Sequence, residues 1–142
     1  MGTELIPQFE KWANRADGVL DSEFSTFRNH IMVCEFDPSP LKAPSILVAG
    51  KDSSQAQLLG LDWIRALPEK QTTPDDDWEE ASARSYVEAA ENGYSCHECE
   101  YLLDLGNGQQ LVRFMRYIRP LRTETNINLF AVAGELQPLV LQ

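Results

Sequence analysis

The last third of the chain, residues 94–136, constrains the fold most, because it contains three apolar-rich runs separated by two turn-like segments. The separators are residues 104–108 (DLGNG) and 122–126 (RTETN). Asn-Gly is a strong hairpin signal, since both central turn positions require positive φ. The middle run also fits a helical stripe through Leu111, Phe114, Met115 and Ile118. We interpret all three runs as strands of an antiparallel meander, one face of which the upstream chain must cover.

The upstream chain begins with an amphipathic helical pattern from Glu4 to Ala16, with large apolar side chains on one side and an expected end near Gly18. Two interpretations stay open: the helix packs on the domain's own core, or it pairs with a copy of itself. For the second interpretation, the predicted dimerisation residues are Leu5, Phe9 and Trp12.

Further elements follow in order. Apolar runs predict strands over residues 30–36 and 45–50, and a short helix is expected over residues 55–59. Thr73 and Pro74 are typical of the start of a helix, which we expect to run to Glu91 and to end at Asn92-Gly93. We divide the chain into an N-terminal helical cap or dimerisation segment, residues 1–28, and a domain, residues 29–142.

Composition limits the classes of function. A hydrophobic fraction of 43% and a charged fraction of 24% in 142 residues are typical of a globular protein that folds around its own core. Three cysteines, no leader pattern and no apolar run of membrane-spanning length predict a cytoplasmic protein without a membrane partner.

The net charge argues against nucleic-acid binding. Twelve basic and 22 acidic residues give a formal charge of −10, which repels a phosphate backbone. Arg113, Arg116, Arg119 and Arg122 form a local basic strip, but a strand divides them between faces, Arg113 with Arg119 and Arg116 with Arg122. We therefore expect no nucleic-acid partner.

The sequence contains no convincing catalytic or metal-binding constellation. Residues 96–99 (CHEC) combine soft ligands, but a strand sends Cys96 and Cys99 to opposite faces. The acidic run at residues 75–77 fits the positive first turn of a helix better than a magnesium site. We predict no catalytic residues and no metal, which favours a binding module over an enzyme.

The order of elements resembles the PAS sensor domain. The matching pieces are Ile46 to Gly60, Ser85 to Gly93, the turn at residues 106–108 and residues 119–121 (RPL). The resemblance implies an α+β fold with a five-stranded antiparallel sheet in the order 2-1-5-4-3 and helices on one face, in addition to the N-terminal amphipathic helix. It also implies a small-molecule pocket and a homodimer.

Three departures from the family limit what the resemblance implies. The chain lacks the Asn-Cys-Arg-Phe-Leu motif of the flavin-cysteine branch, and the long helix has no histidine for haem. The family's common asparagine after the second strand is replaced around Gly50-Lys51. The cofactor is therefore left open.

We expect a sensory or regulatory domain that binds a small ligand or a partner and signals through dimerisation, with its effector domain or partner protein outside this chain. The side chains expected to line the pocket are Trp63, His97, Cys99, Tyr101, Leu103, Met115 and Tyr117. Two alternatives stay open: a small cone-shaped α+β enzyme or ligand-binding protein, and a pure protein-interaction module without a ligand.

Overall fold

The fold is an antiparallel sheet with a helix on each side. The computed structural model describes residues 5–53, 76–104 and 109–136, with the side chains of all but residues 76–81, 101–104 and 109–112. In chain order its elements are α1 (Leu5–Arg15), a 3-10 helix (Ser22–Thr26), β1 (Ile31–Glu35), β2 (Ile46–Ala49), α2 (Asp76–Asn92), β3 (Ser95–Asp104), β4 (Gln109–Arg122) and β5 (Asn128–Leu136).

The five strands pair in the order β2-β1-β5-β4-β3, and every pair is antiparallel. This is the order predicted from the resemblance. The ambiguous middle run is a strand, β4, of 14 residues. The predicted short helix over residues 55–59 and the helix start at Thr73 lie outside the described residues.

Helix α1 ends in a left-handed turn that returns the chain to the sheet. Asp17 has φ of 53° and Gly18 has φ of 72°. The Gly18 N–H donates to the Ala13 carbonyl at 3.0 Å and the Asp17 N–H to the Asn14 carbonyl at 3.3 Å, which is the pattern of a Schellman cap. Leu20 then donates to the Arg122 carbonyl at 2.9 Å, so the segment after α1 is bonded to the end of β4.

Alternation along the strands gives the sheet two buried faces. The side that we name the α1 face carries side chains of β1, β4 and β5 that pack with α1 and Phe27. Its sheet residues are Ile31, Tyr117, Leu121, Ala131 and Ala133. The opposite side, named the α2 face, carries Met32, Cys34, Ile118, Phe130 and Val132, which pack with Tyr86 and Ala89 of α2. Thus α2 covers one face, and the N-terminal helix covers the other.

The pairing of β3 with β4 extends both faces towards the β3 edge. Ser95 lies opposite Ile118, His97 opposite Arg116 and Cys99 opposite Phe114, so these residues belong to the α2 face. Cys96 lies opposite Tyr117 and Glu98 opposite Met115, so these residues belong to the α1 face.

Gly50 allows a close approach of the chain after β2 to the segment before β1. A Cβ at this position would lie 2.3 Å from the carbonyl carbon and oxygen of Asn29. The Gly50 N–H donates to the Ile31 carbonyl at 3.0 Å, which extends the β1–β2 pairing by one bond. A side chain at position 50 would therefore force the backbone apart.

Candidate functional site

The structure divides the predicted pocket residues between the two faces of the sheet. His97 and Cys99 are on the α2 face, whereas Met115 and Tyr117 are on the α1 face. Tyr117 is fully buried and Met115 packs against the same cluster as α1. The assignment of Met115 and Tyr117 to one pocket with His97 is therefore corrected: these two pairs of side chains face opposite sides of the sheet.

The other predicted lining residues are not all described. Trp63 lies outside the described residues. Tyr101 and Leu103 have backbone positions in β3, opposite Val112 and Gln110, but their side chains lie outside the description. Ligand binding by these residues stays a prediction.

The residues predicted for dimerisation lie inside the chain's own core. Leu5 is 5% exposed, Phe9 0% and Trp12 2%. The Phe9 ring lies 5.6 Å from the Trp12 ring and 6.0 Å from the Tyr117 ring, measured between centroids. This packing fits the first interpretation, in which α1 covers the core of its own domain. These three side chains are not available as a contact with a second copy, and a homodimer stays a prediction.

The α2 face contains a buried charge, Arg116, which is only 5% exposed. Its Nη1 donates to the Ser82 hydroxyl at 2.6 Å and its Nη2 to the Ser82 carbonyl at 3.3 Å. The guanidinium carbon lies 5.5 Å from the centroid of the Tyr86 ring, within range of a cation–π interaction. Among the described side chains, no carboxylate forms an ion pair with Arg116.

Tyr86 connects Arg116 to a neutral thiol. The Tyr86 hydroxyl lies 3.7 Å from Cys34 Sγ, and its ring meets Phe130 edge-on at 5.1 Å. Burial raises the pKa of Cys34 to about 12, although the Tyr86 hydrogen bond and the positive charge of Arg116 both act to lower it. The Cys34 thiol is therefore uncharged at neutral pH, and it does not neutralise Arg116.

Ser95 adds an unsatisfied hydroxyl to the same face. It is 2% exposed, and its buried Oγ has no hydrogen-bond partner in the part of the chain that the structure describes. Ser95 lies opposite Ile118, one diagonal step from Arg116, which corresponds to roughly 7–8 Å between backbones. A buried polar atom without a partner is unfavourable, so this hydroxyl needs an explanation.

His97 forms the solvent side of this region. It lies directly opposite Arg116 in the β3–β4 pairing, and its Nε2 contacts the Glu88 carboxylate of α2. Both side chains are about half exposed, at 47% and 41%. We name Arg116, Ser82, Tyr86, Ser95 and His97 the Arg116 site, a set of polar side chains on the α2 face of β3 and β4 and on α2 itself.

The sequence interpretation missed Arg116 as a site residue, because it treated the arginine only as part of a basic strip. The sequence nevertheless contained a pattern that predicts the burial of Arg116. Arg116 alternates with Phe114 and Ile118, so a strand places it on the same face as two large apolar side chains. The predicted division of the arginines is confirmed, since Arg113 pairs with Glu100 on the α1 face while Arg116 bonds Ser82 on the α2 face.

The two cysteines of β3 do not converge. Cys96 is exposed on the α1 face and Cys99 is buried on the α2 face. Within the described ranges, no group of three or more His, Cys, Asp or Glu side chains is placed to hold a metal ion. In the same part of the chain, neither helix combines the length and the apolar composition needed to cross a bilayer.

Sheet topology and helix positions define an α+β protein with the strand order that the PAS resemblance implies. No protein-family model matches the chain, and no curated protein matches it. Among solved structures it is similar to the VqmA dimer of Vibrio cholerae, with 15% identity and a TM-score of 0.43, over 84% of this chain.

The chain spans 53% of the VqmA chain. VqmA is a dimer that has a target DNA, and it is one of the LuxR-type receptors. At this level of similarity, membership of the PAS family stays a resemblance. The expected absence of a nucleic-acid partner likewise stays a prediction.

Proposed function

We propose that the chain is a PAS-like sensory or regulatory domain that binds a small molecule between α2 and the β3–β4 part of the sheet. The observation that carries this proposal is the Arg116 site, where a buried guanidinium and a buried hydroxyl keep unused hydrogen-bonding capacity among the described residues. A guanidinium has five N–H donors, and Ser82 accepts from two of its terminal nitrogens.

Burial of such groups is unfavourable when nothing accepts from them. A buried polar group without a partner costs about 1–3 kcal/mol, and a buried unpaired charge costs more. The α1 face, by comparison, is filled by apolar and aromatic side chains in contact with one another. A bound polar molecule supplies the missing acceptors, which accounts for both Arg116 and Ser95.

The position of the site links binding to α2. Arg116 of β4 bonds Ser82 near the middle of α2, and His97 of β3 contacts Glu88 about 1.7 turns further along the helix. A molecule that accepts hydrogen bonds from Arg116 therefore changes the contacts that position α2 on the sheet. Such a change is the signal that an effector domain or partner protein outside this chain would detect.

Native mass spectrometry of the full chain, purified without denaturation, tests the proposal. We expect a fraction of the protein to carry a bound small molecule that is released on unfolding. Arg113→Gln, which changes an exposed arginine on the α1 face, should retain the molecule, whereas Arg116→Gln should lose it. Detection of ligand-free protein alone, together with no ligand-dependent change in thermal stability, would contradict a sensory pocket and favour a pure interaction module.

A further inference from the structure

We infer that the molecule bound at the Arg116 site carries a carboxylate, and that Arg116 is its counter-charge. This inference rests on the proposed function and specifies the chemical class of its ligand. The charge balance, the hydrogen-bond geometry of the guanidinium and the character of the neighbouring side chains each support it.

The charge balance separates Arg116 from other arginines of the chain. The described arginine ion pairs join exposed or half-exposed side chains: Arg15 with Glu23, Arg113 with Glu98 and Glu100, and Arg122 with Asp17. Arg116 is buried, where an uncompensated charge is most unfavourable, yet no described carboxylate pairs with it. An anionic ligand would supply the counter-charge that the described carboxylates do not provide.

The hydrogen bonds to Ser82 use only part of the donor capacity of the Arg116 guanidinium. Ser82 accepts through its hydroxyl from Nη1 and through its carbonyl from Nη2, and Tyr86 lies against the guanidinium. Three of the five N–H groups have no acceptor among the described residues. Two N–H groups along one edge of a guanidinium match the two oxygens of a carboxylate, and the Ser95 hydroxyl can donate a further bond.

The neighbouring side chains favour a carboxylate over a phosphate. A phosphate monoester carries about two negative charges at neutral pH, whereas the site offers one guanidinium, and Glu88 at its solvent side is itself acidic. Next to Arg116 on the same face lie the buried side chains of Phe114 and Cys99. These surroundings fit a carboxylate attached to a small apolar body.

Thermal unfolding of the full chain with matched probes tests the inference. The probes are benzoate and butyrate, each compared with its neutral primary amide, and inorganic phosphate. We expect the carboxylates to raise Tm by roughly 5–11 °C at a concentration near one hundred times Kd, and the amides and phosphate to leave it unchanged. Equal shifts with acid and amide, a shift with phosphate alone, or no shift with any probe would each overturn the inference.

Variants test whether Arg116 is the side chain that binds the negative charge of the carboxylate. Arg116→Gln and Arg116→Met should weaken carboxylate binding by at least about thirtyfold, whereas Arg113→Gln should leave it unchanged. Ser95→Ala should weaken it by a smaller factor of about five to ten. A carboxylate-dependent shift that survives in both Arg116 variants would overturn the assignment.

Because a variant at a buried position can fail to fold, the wild-type chain provides an independent measurement. The Nε–H resonance of Arg116 in an NMR spectrum should shift on addition of benzoate and stay unchanged on addition of benzamide. A neutral molecule retained in native mass spectrometry, with no response to carboxylates, overturns the inference and leaves the proposed function intact. The absence of any bound or stabilising small molecule overturns both.

Discussion

The two faces of the sheet are buried by different chemistry. On the α1 face, the rings of Phe9, Trp12, Phe27 and Tyr117 contact one another, with centroid distances of 5.5–6.0 Å. On the α2 face, a guanidinium, two serine hydroxyls and a neutral thiol are buried beside Tyr86. One sheet thus carries an aromatic core on one side and a polar, incompletely satisfied interior on the other.

This difference indicates where the fold gains and where it loses stability. Aromatic packing gains free energy from apolar burial and from ring contacts, and it requires nothing from outside the chain. Buried groups without partners reduce stability, and such local losses concentrate at functional sites. The comparison therefore predicts that substitutions on the α1 face destabilise the fold, whereas some substitutions on the α2 face stabilise it.

The largest expected effect is that of Phe9→Ala on the α1 face. Phe9 is fully buried and contacts three other rings, so truncation should lower the free energy of unfolding by about 3–5 kcal/mol. Urea denaturation measures the loss. Lys11→Ala, on the exposed side of the same helix, should change it by less than about 0.5 kcal/mol. A Phe9→Ala protein that keeps its stability but dissociates from a dimer to a monomer in size-exclusion chromatography would show that α1 serves association instead.

Two serines of the α2 face should respond in opposite directions. Ser82 accepts from the buried Arg116, so Ser82→Ala should lower the free energy of unfolding by about 1–3 kcal/mol. Ser95 has an unsatisfied buried hydroxyl, so Ser95→Ala should leave stability unchanged or raise it by about 1 kcal/mol. Urea denaturation of the ligand-free variants measures both values. A clear loss of stability in Ser95→Ala would show that its hydroxyl has a structural partner.

The smallest effect concerns the pH dependence contributed by Cys34. Its folded pKa of about 12 lies above the ordinary cysteine value of 9.0, so folding favours the protonated thiol. This contribution to stability is complete below pH 9 and is lost as the pH rises towards 12. Between pH 9 and 10 the loss should approach about 1 kcal/mol, and Cys34→Ala should show a correspondingly smaller slope. Equal slopes in the two proteins would contradict the burial of this thiol.

The topology of the sheet was predictable because its signals are local. Turn residues separate the three C-terminal runs, and the order of the elements selected strand over helix for residues 109–120. The pairing order followed from the resemblance and is confirmed. The division of the helices between two faces depends on contacts between α1 and β5 that no sequence pattern specifies.

The candidate site was less predictable, because it depends on which face each helix covers. The alternation of side chains along β3 correctly placed His97 and Cys99 on one face. On β4, however, the residues predicted to line the pocket were Met115 and Tyr117, which lie on the face that α1 covers. Arg116 was passed over because it was considered only as one of four arginines in a basic strip. Its partner Ser82 lies 34 residues away, a contact that only the folded chain shows.

One hydrogen bond connects the beginning of α1 with the end of β5. The Ile6 N–H donates to Glu135 Oε1 at 2.7 Å, across a sequence separation of 129 residues. Glu135 lies opposite Met115, one position from Arg116 along β4. A sliding motion of β5 against β4 must therefore either carry the first turn of α1 with it or break this bond. Helix α1 on one face and the Arg116 site on the other are thus connected through the neighbouring strands β5 and β4.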